Sequence, residues 1–319
     1  MASRAAQITV PIPSRTEIPT FARHESFHPR FGWLKKGYDK AQEDSEVFLR
    51  EDAALILGVG KNMVRAIRYW CSAFKVTEEI SENRLRKSQP SEFGKLLLSE
   101  NGWDPFLESE GALWLLHWNL LKSPSIATTW QYLFGNVRQT EFTAEELTSQ
   151  LSEYIQTTYP SATVAESSLK SDIACALRMY AVSKLQSRVT EETIVSPFVN
   201  LGLIDSLPDS KHFAFRIGAK QNLHAEIITA ACLEYAHQTR PGQRSINMSQ
   251  LLFDHLSPGQ CFKLTESALY SALEHMTTKN SNLILSDTAG IVQLQFTVEP
   301  NSLSEKILAK YFETQRGAN

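Results

Sequence analysis

Four cysteines are all that 319 residues contain, Cys71, Cys175, Cys232 and Cys261, and no two of them form a CxxC pair. The missing CxxC spacing argues against a zinc site. The first three lie in apolar helical surroundings, so reduced core thiols are expected rather than disulfides. Long apolar runs are missing too: no stretch approaches the roughly 18 residues that a membrane-crossing helix needs. Residues 1–20 carry prolines where the apolar core of a secretory signal would lie, so a cytoplasmic protein is expected. There is no P-loop, no dinucleotide fingerprint and no GxSxG elbow. LGVGKN at 57–62 has the wrong Gly/Lys spacing for a Walker motif, and Asn62 stands where Ser or Thr is needed. No nucleotide cofactor is expected, and no tandem repeat stands out.

A large excess of either sign of charge is also missing, the net value being −3, but charge is unevenly spread. Residues 1–40 hold seven Lys/Arg against three Asp/Glu, whereas 141–166 hold five Glu and no Lys or Arg. Only the amino-terminal part suits a polyanion. The length suits two or three domains. The expected division is an arm over 1–20, a DNA-binding unit over 21–90, a helical middle over 91–240 and a last module over 241–319.

What is present is concentrated in 51–74, EDAALILGVGKNMVRAIRYWCSAF. An apolar helix over Asp52–Leu57 meets the turn Gly58-Val59-Gly60, and a second helix follows. Ala54, Gly58, Val64 and Ile67 fall at offsets of four, six and three, which a helix-turn-helix uses for close crossing, an unusual turn and seating of the second helix. Val64, Ile67, Cys71 and Phe74 recur at helical spacing and should face the core. Lys61, Arg65, Arg68 and Ser72 form another stripe, with Asn62 and Tyr69 beside it. Cations there suit phosphates, and Asn or Arg near the helix start suits base edges. An ordinary helical hairpin with a solvated basic face is the alternative.

Thr77–Pro90 is charged, polar and proline-terminated, and reads as a linker. Trp114, Leu115, Trp118 and Leu121 read as core of an aromatic-rich helix. Thr143 with Glu146 forms a capping box opening a helix over Ala144–Thr157, and Ser168–Gln186 repeats the helical pattern. Helices over Met248–Leu256 and Thr265–Thr277 precede two strand-like runs, Asn282–Leu285 and Ile291–Thr297. Two helices and a hairpin make a winged-helix-like layout. Its second helix is not basic, which favours protein contact or dimerisation. The fold class is thus mainly α: an amino-terminal helix-turn-helix, a helical middle and a winged-helix-like module with a small β-hairpin.

Three groups carry candidate chemistry. His24-Glu25-Ser26-Phe27-His28 formally matches HExxH, but Pro29 would stop the helix at the second ligand. The same segment still supplies a proton carrier in His24, a base or metal ligand in Glu25, and phosphate-holding cations in Arg23 and Arg30. Lys35 and Lys36 add charge beside Trp33 and Tyr38. A phosphodiester site uses such a set; a basic strap touching the DNA backbone uses it as well. Asp104 and Glu108 are spaced i, i+4 and, if helical, would share a face able to hold Mg²⁺.

FARHESFHPRFGWLKKGYDKA, LGVGKNMVRAIRYWCSAF, GWDPFLESEGALWLLHW, SDIACALRMY, SPFVNLGLID and AGIVQLQF resemble a domain-of-unknown-function family associated with DNA phosphorothioation operons. The resemblance spans most of 21–298. It implies a bacterial DNA modification and defence role, in which one strand is nicked so that sulfur can enter the backbone. It also implies double-stranded DNA as partner, alongside cysteine desulfurase, ATP pyrophosphatase and ATPase components. The family's His-Glu and following Arg match His24, Glu25 and Arg30, and its LGVGKNMV matches 57–64. His28 is not part of that pattern, and no nuclease signature maps here. The expected site is therefore His24, Glu25 and Arg30 for catalysis, with Lys35, Lys36, Lys61, Asn62, Arg65 and Arg68 for DNA. Asp104 and Glu108 are expected to serve Mg²⁺ or Mn²⁺, and a homodimer is one expected assembly. A non-catalytic DNA-binding adaptor or transcriptional regulator is the alternative.

Overall fold

The computed structural model describes residues 19–82, 84–181, 195–209 and 211–317. The expectations for the arm over 1–18 and for 182–186, the end of the expected Ser168–Gln186 helix, lie outside these residues. Among the described residues the chain is mainly helical, with small antiparallel sheets.

The amino-terminal unit comprises α1 (Trp33–Glu43), α2 (Ala53–Leu57), α3 (Lys61–Ala73), β1 (Thr77–Glu82) and β2 (Leu85–Pro90). Gly58 ends α2 in the left-handed region at φ 62°, and Gly60, extended, opens α3. A side chain at Gly58 would meet strain there, which is why the turn carries glycine. Helix α1 crosses α3 closely at Gly37, where a Cβ atom would fall 2.4 Å from Cys71 Sγ. Val64, Ile67, Cys71 and Phe74 are all buried, as their spacing requires.

Thr77–Pro90 is not a linker: it is the β1–β2 hairpin, paired in register from Thr77↔Pro90 to Glu82↔Leu85. Apolar alternation is absent because its strands are tied by polar pairs instead. Gln89 donates to Glu78 at 2.7 Å and Lys87 to Glu82 at 2.7 Å, cross-strand or near-cross-strand contacts of the kind that stabilise a ladder.

The middle begins with α4 (Glu92–Leu98), α5 (Glu110–Leu121) and α6 (Thr128–Gly135). Every residue of α5 from Gly111 to Leu121 is buried, so it is a core helix with no solvent face. Strand β3 (Glu141–Thr143), α7 (Ala144–Thr158), α8 (Glu166–Tyr180), β4 (Ile204–Ser206) and β5 (His212–Phe215) follow, with sheet order β3-β5-β4. The capping box is present in full: Thr143 accepts from the Glu146 amide and Glu146 from the Thr143 amide.

The last part runs α9 (Ala225–Thr239), β6 (Ser245–Asn247), α10 (Met248–Phe253), α11 (Pro258–Cys261), α12 (Glu266–Lys279), β7 (Leu283–Thr288), β8 (Ile291–Phe296) and α13 (Pro300–Gly317). Its sheet order is β6-β8-β7, so the strand–helices–hairpin layout of the middle recurs although no sequence period announces it. The β7–β8 turn is Ala289-Gly290, with φ 54° and 79°. Positive φ at both positions is what a two-residue hairpin loop of matching twist requires.

One continuous set of buried side chains runs from Trp33 to Phe312. Glu234 on α9 joins three parts of it, accepting from Trp118 Nε1 at 2.9 Å, Lys122 Nζ at 2.6 Å and Ser304 Oγ at 3.1 Å. His117 on α5 is fully buried between the Tyr180 hydroxyl, 2.7 Å, and the Cys261 carbonyl, 2.9 Å. Burial pushes its pKa down to about 3, so the ring is neutral: Nε2–H donates to the carbonyl and Nδ1 accepts from Tyr180. The four cysteines are buried and free, and burial pushes each thiol up.

Candidate nucleic-acid interface

The strap over 21–30 is a turn, not a helix. Ala22, Glu25 and Ser26 adopt positive φ, 55°, 51° and 65°, which costs about 1–2 kcal/mol each for residues with a Cβ. Fastenings on both sides hold it there. Trp70 Nε1 on α3 donates to Phe27 O at 2.9 Å, and Arg178 on α8 donates to Ser26 O at 3.0 Å. The turn also removes the shared helical face that His24 and His28 would need to hold zinc together.

The deepest fastening is His24. Its side chain is 1% exposed, and Nε2 donates to Asp172 Oδ1 of α8 at 2.8 Å. Asp172 accepts further from the Ala22 amide and from Thr129 Oγ1, each at 2.8 Å. The His24 ring stacks on Trp70 and meets Trp130 and Tyr69 edge-on. A buried carboxylate needs such a full set of donors.

Pinning His24 leaves its neighbours, Arg23 and Glu25, on a surface groove of about 640 Å³. Arg65, Arg68, Tyr69 and Ser72 of α3, with Val64, form one wall, and Glu79 and Arg86 of the hairpin form another. Four arginines thus face two glutamates, a local excess of two positive charges. Arg68 Nη2 bonds Glu79 Oε1 and the Arg86 carbonyl, both at 2.8 Å. Arg65 reaches Glu25 at 3.5 Å, and Arg86 reaches Glu79 at 4.0 Å. The Arg65 and Arg86 side chains are largely exposed, so those two pairs are weak enough for a phosphate to displace.

The other expected residues are dispersed. Lys61 and Asn62 are exposed on the first turn of α3, one turn beyond Arg65. Lys36 donates to Leu57 O at 3.0 Å, closing the carboxyl end of α2. Lys35 pairs with Asp39 at 2.6 Å and lies near the Phe106 ring. Arg30 sits over the rings of Phe27 and Trp33, 5.4 and 5.1 Å from their centres.

Asp104 and Glu108 do not share a helix face, which corrects the helical premise. Pro105 follows Asp104 and disfavours helical backbone there, and the segment is a loop. Asp104 is buried and accepts from the Glu108 and Ser109 amides at 3.0 and 2.8 Å, while the Glu108 side chain is exposed. Among the described residues no group of three His, Cys, Asp or Glu side chains could hold a metal ion between them. No described helix is long and apolar enough to cross a membrane.

Sequence reasoning misses Asp172, Glu79 and Arg86. Asp172 had a signal: it is the one charge on the apolar side of α8, beside Ile173 and Ala176.

A mainly helical protein with an arginine-lined groove between a helix and a polar hairpin is thus the class that fold and groove define. Residues 21–312 match DUF4007, described as a protein of unknown function, and the chain belongs to that family. Two crystal structures are similar to it at 36% identity, covering 92% of this chain and 88% of theirs. They are a magnesium ion-bound SspB, with a TM-score of 0.86, and an SspB, with a TM-score of 0.85. No curated protein matches the chain.

Proposed function

We propose that this protein binds double-stranded DNA along the arginine groove and nicks one strand, as a component of a bacterial DNA phosphorothioate modification system. The observation that carries the reading is the convergence of Arg23, Arg65, Arg68 and Arg86 on one groove beside Glu25. The likeness to SspB supports the same role, as does the resemblance to the family found beside phosphorothioation genes. Arginines there neutralise phosphates, and Lys61 and Asn62, at the exposed start of α3, extend the contact toward base edges. The α2–turn–α3 pair then acts as a helix-turn-helix.

Within the proposed catalytic set, Glu25 is the proton acceptor or metal ligand nearest the phosphate path. His24 holds the strap that presents it, and Arg30 braces the strap on Phe27 and Trp33. The relative described as magnesium ion-bound supports Mg²⁺, or Mn²⁺ in its place, as the cofactor. The described residues do not form a ready cage for it. Asp104 spends both oxygens on backbone amides, which leaves Glu108 and, once Arg65 releases it, Glu25 as the carboxylates of the expected set open to the ion. Such an ion would supply charge neutralisation at the phosphate and take most of its ligands from water and substrate.

The carboxy-terminal unit is read as winged-helix-like. Its helix α12 carries Glu266 and Glu274 and ends in Lys279, so it is assigned to protein contact: a second copy of this chain, or the desulfurase, pyrophosphatase and ATPase components. The buried position of His24 favours one alternative, a non-catalytic DNA-binding adaptor or regulator.

Supercoiled plasmid incubated with the protein and Mg²⁺ or Mn²⁺ separates the two readings. Open-circle product that is lost in Glu25→Gln supports the nickase. Tight binding without open-circle product under either metal supports the adaptor.

A further inference from the structure

A second cavity, of about 540 Å³, lies between the start of α9, the end of α12 and the last turns of α13. Its volume is that of a small-molecule site. The floor is apolar, from Met276, Ile307 and the Tyr311 ring, which packs against His224 at 5.2 Å. The rim carries Lys279, Lys306 and Lys310 against a single carboxylate, Glu226. Lys279 already holds that carboxylate at 3.2 Å. Lys306 and Lys310 stand at i, i+4 on one face of α13, and no ion pair holds either among the described residues. Two like charges at that spacing destabilise a helix, and an anion between them reverses the sign.

We infer that this cavity binds a nucleoside phosphate, with the phosphate between Lys306 and Lys310 and the nucleoside on the Met276–Ile307–Tyr311 floor. An inorganic anion would use the lysines but leave the apolar floor empty, and an apolar ligand would leave the unpaired ammonium groups unused. The same chemistry comes from a free nucleotide or from the phosphorylated end of a DNA strand. The site is separate from the arginine groove, and it departs from the expectation of no nucleotide ligand because no phosphate-binding loop is involved.

Calorimetric titration of the full chain with dAMP, deoxyadenosine, and a 5′-phosphorylated or 5′-hydroxyl tetranucleotide tests it. At least one phosphorylated probe should bind about tenfold or more tighter than its phosphate-free counterpart. Lys306→Gln/Lys310→Gln should lose that margin while unfolding at the wild-type temperature or above. Tighter dAMP assigns a free nucleotide, and a tighter tetranucleotide assigns a strand end. Equal affinity with and without phosphate, no binding of either phosphorylated probe, or an unaltered double variant overturns the inference. Arg65→Ala, which should weaken duplex binding, should leave dAMP binding unchanged, so failure here is distinguishable from failure of the groove reading.

Discussion

His24 Nε2 and Asp172 Oδ1 meet at 2.8 Å across 148 positions of sequence, in a site from which solvent is excluded. The pair joins the strap to α8 and so decides where Glu25 stands. Removing either partner leaves the other polar group buried and short of a bond. His24→Ala and Asp172→Ala should each cost about 2–4 kcal/mol in urea unfolding, and the double variant less than the sum of the two. Additive losses would show that the two residues do not act as a unit.

Glu25 places negative charge among the groove arginines. Glu25→Gln should bind duplex DNA more tightly, because Arg65 is released from its 3.5 Å contact. The same variant should nick roughly 10²-fold or more slowly, the usual scale for losing a proton-transfer group. Anisotropy and plasmid relaxation on one preparation measure both, and weaker binding would contradict the groove's charge balance.

His117 gives the fold an acid limit. Its folded pKa is depressed to about 3, against about 6.5 in an unfolded chain. The stabilisation is complete above pH 6.5, where both states hold a neutral ring. It is lost as pH falls from 6.5 toward 3, because the unfolded chain takes the proton first. The loss should reach about 2 kcal/mol at pH 5. Urea unfolding at pH 7 and 5 measures it, and His117→Gln should reduce the difference, with His255, whose pKa burial also lowers, supplying part of the remainder.

Lys263 acts in the opposite range. Burial depresses its pKa to about 7, while its Nζ donates to Phe134 O at 3.0 Å and lies 4.0 Å from the Phe215 ring centre. Between pH 7 and about 10.5 the unfolded chain binds the extra proton, so stability should rise with pH across that window. Lys263→Met should shrink that rise, read by thermal unfolding, with Lys220, whose pKa burial also depresses to about 7, supplying the remainder.

Locally encoded parts of the fold are visible in sequence, because capping and turn chemistry are short-range. Thr143 with Glu146, Gly58, and the Ala289-Gly290 turn mark their elements directly. The β1–β2 hairpin is not visible, since polar pairs replace apolar alternation. Strands β3, β4 and β6 are three residues each, too short for periodicity to register. At the candidate site, Arg65 and Arg68 follow from the stripe on α3. The burial of His24 does not follow, because its cause, Asp172, lies far along the chain, and only folding brings the hairpin's Glu79 and Arg86 opposite α3.

DNA phosphates seated in the arginine groove should make duplex affinity depend on Arg65 and Arg86. The direct measurement is duplex affinity by fluorescence anisotropy over a salt series, for wild type, Arg65→Ala and Arg65→Ala/Arg86→Ala. Binding should weaken progressively, with the log–log salt slope shrinking by about 0.9 for each phosphate contact removed. Wild-type affinity and slope in the double variant would contradict it.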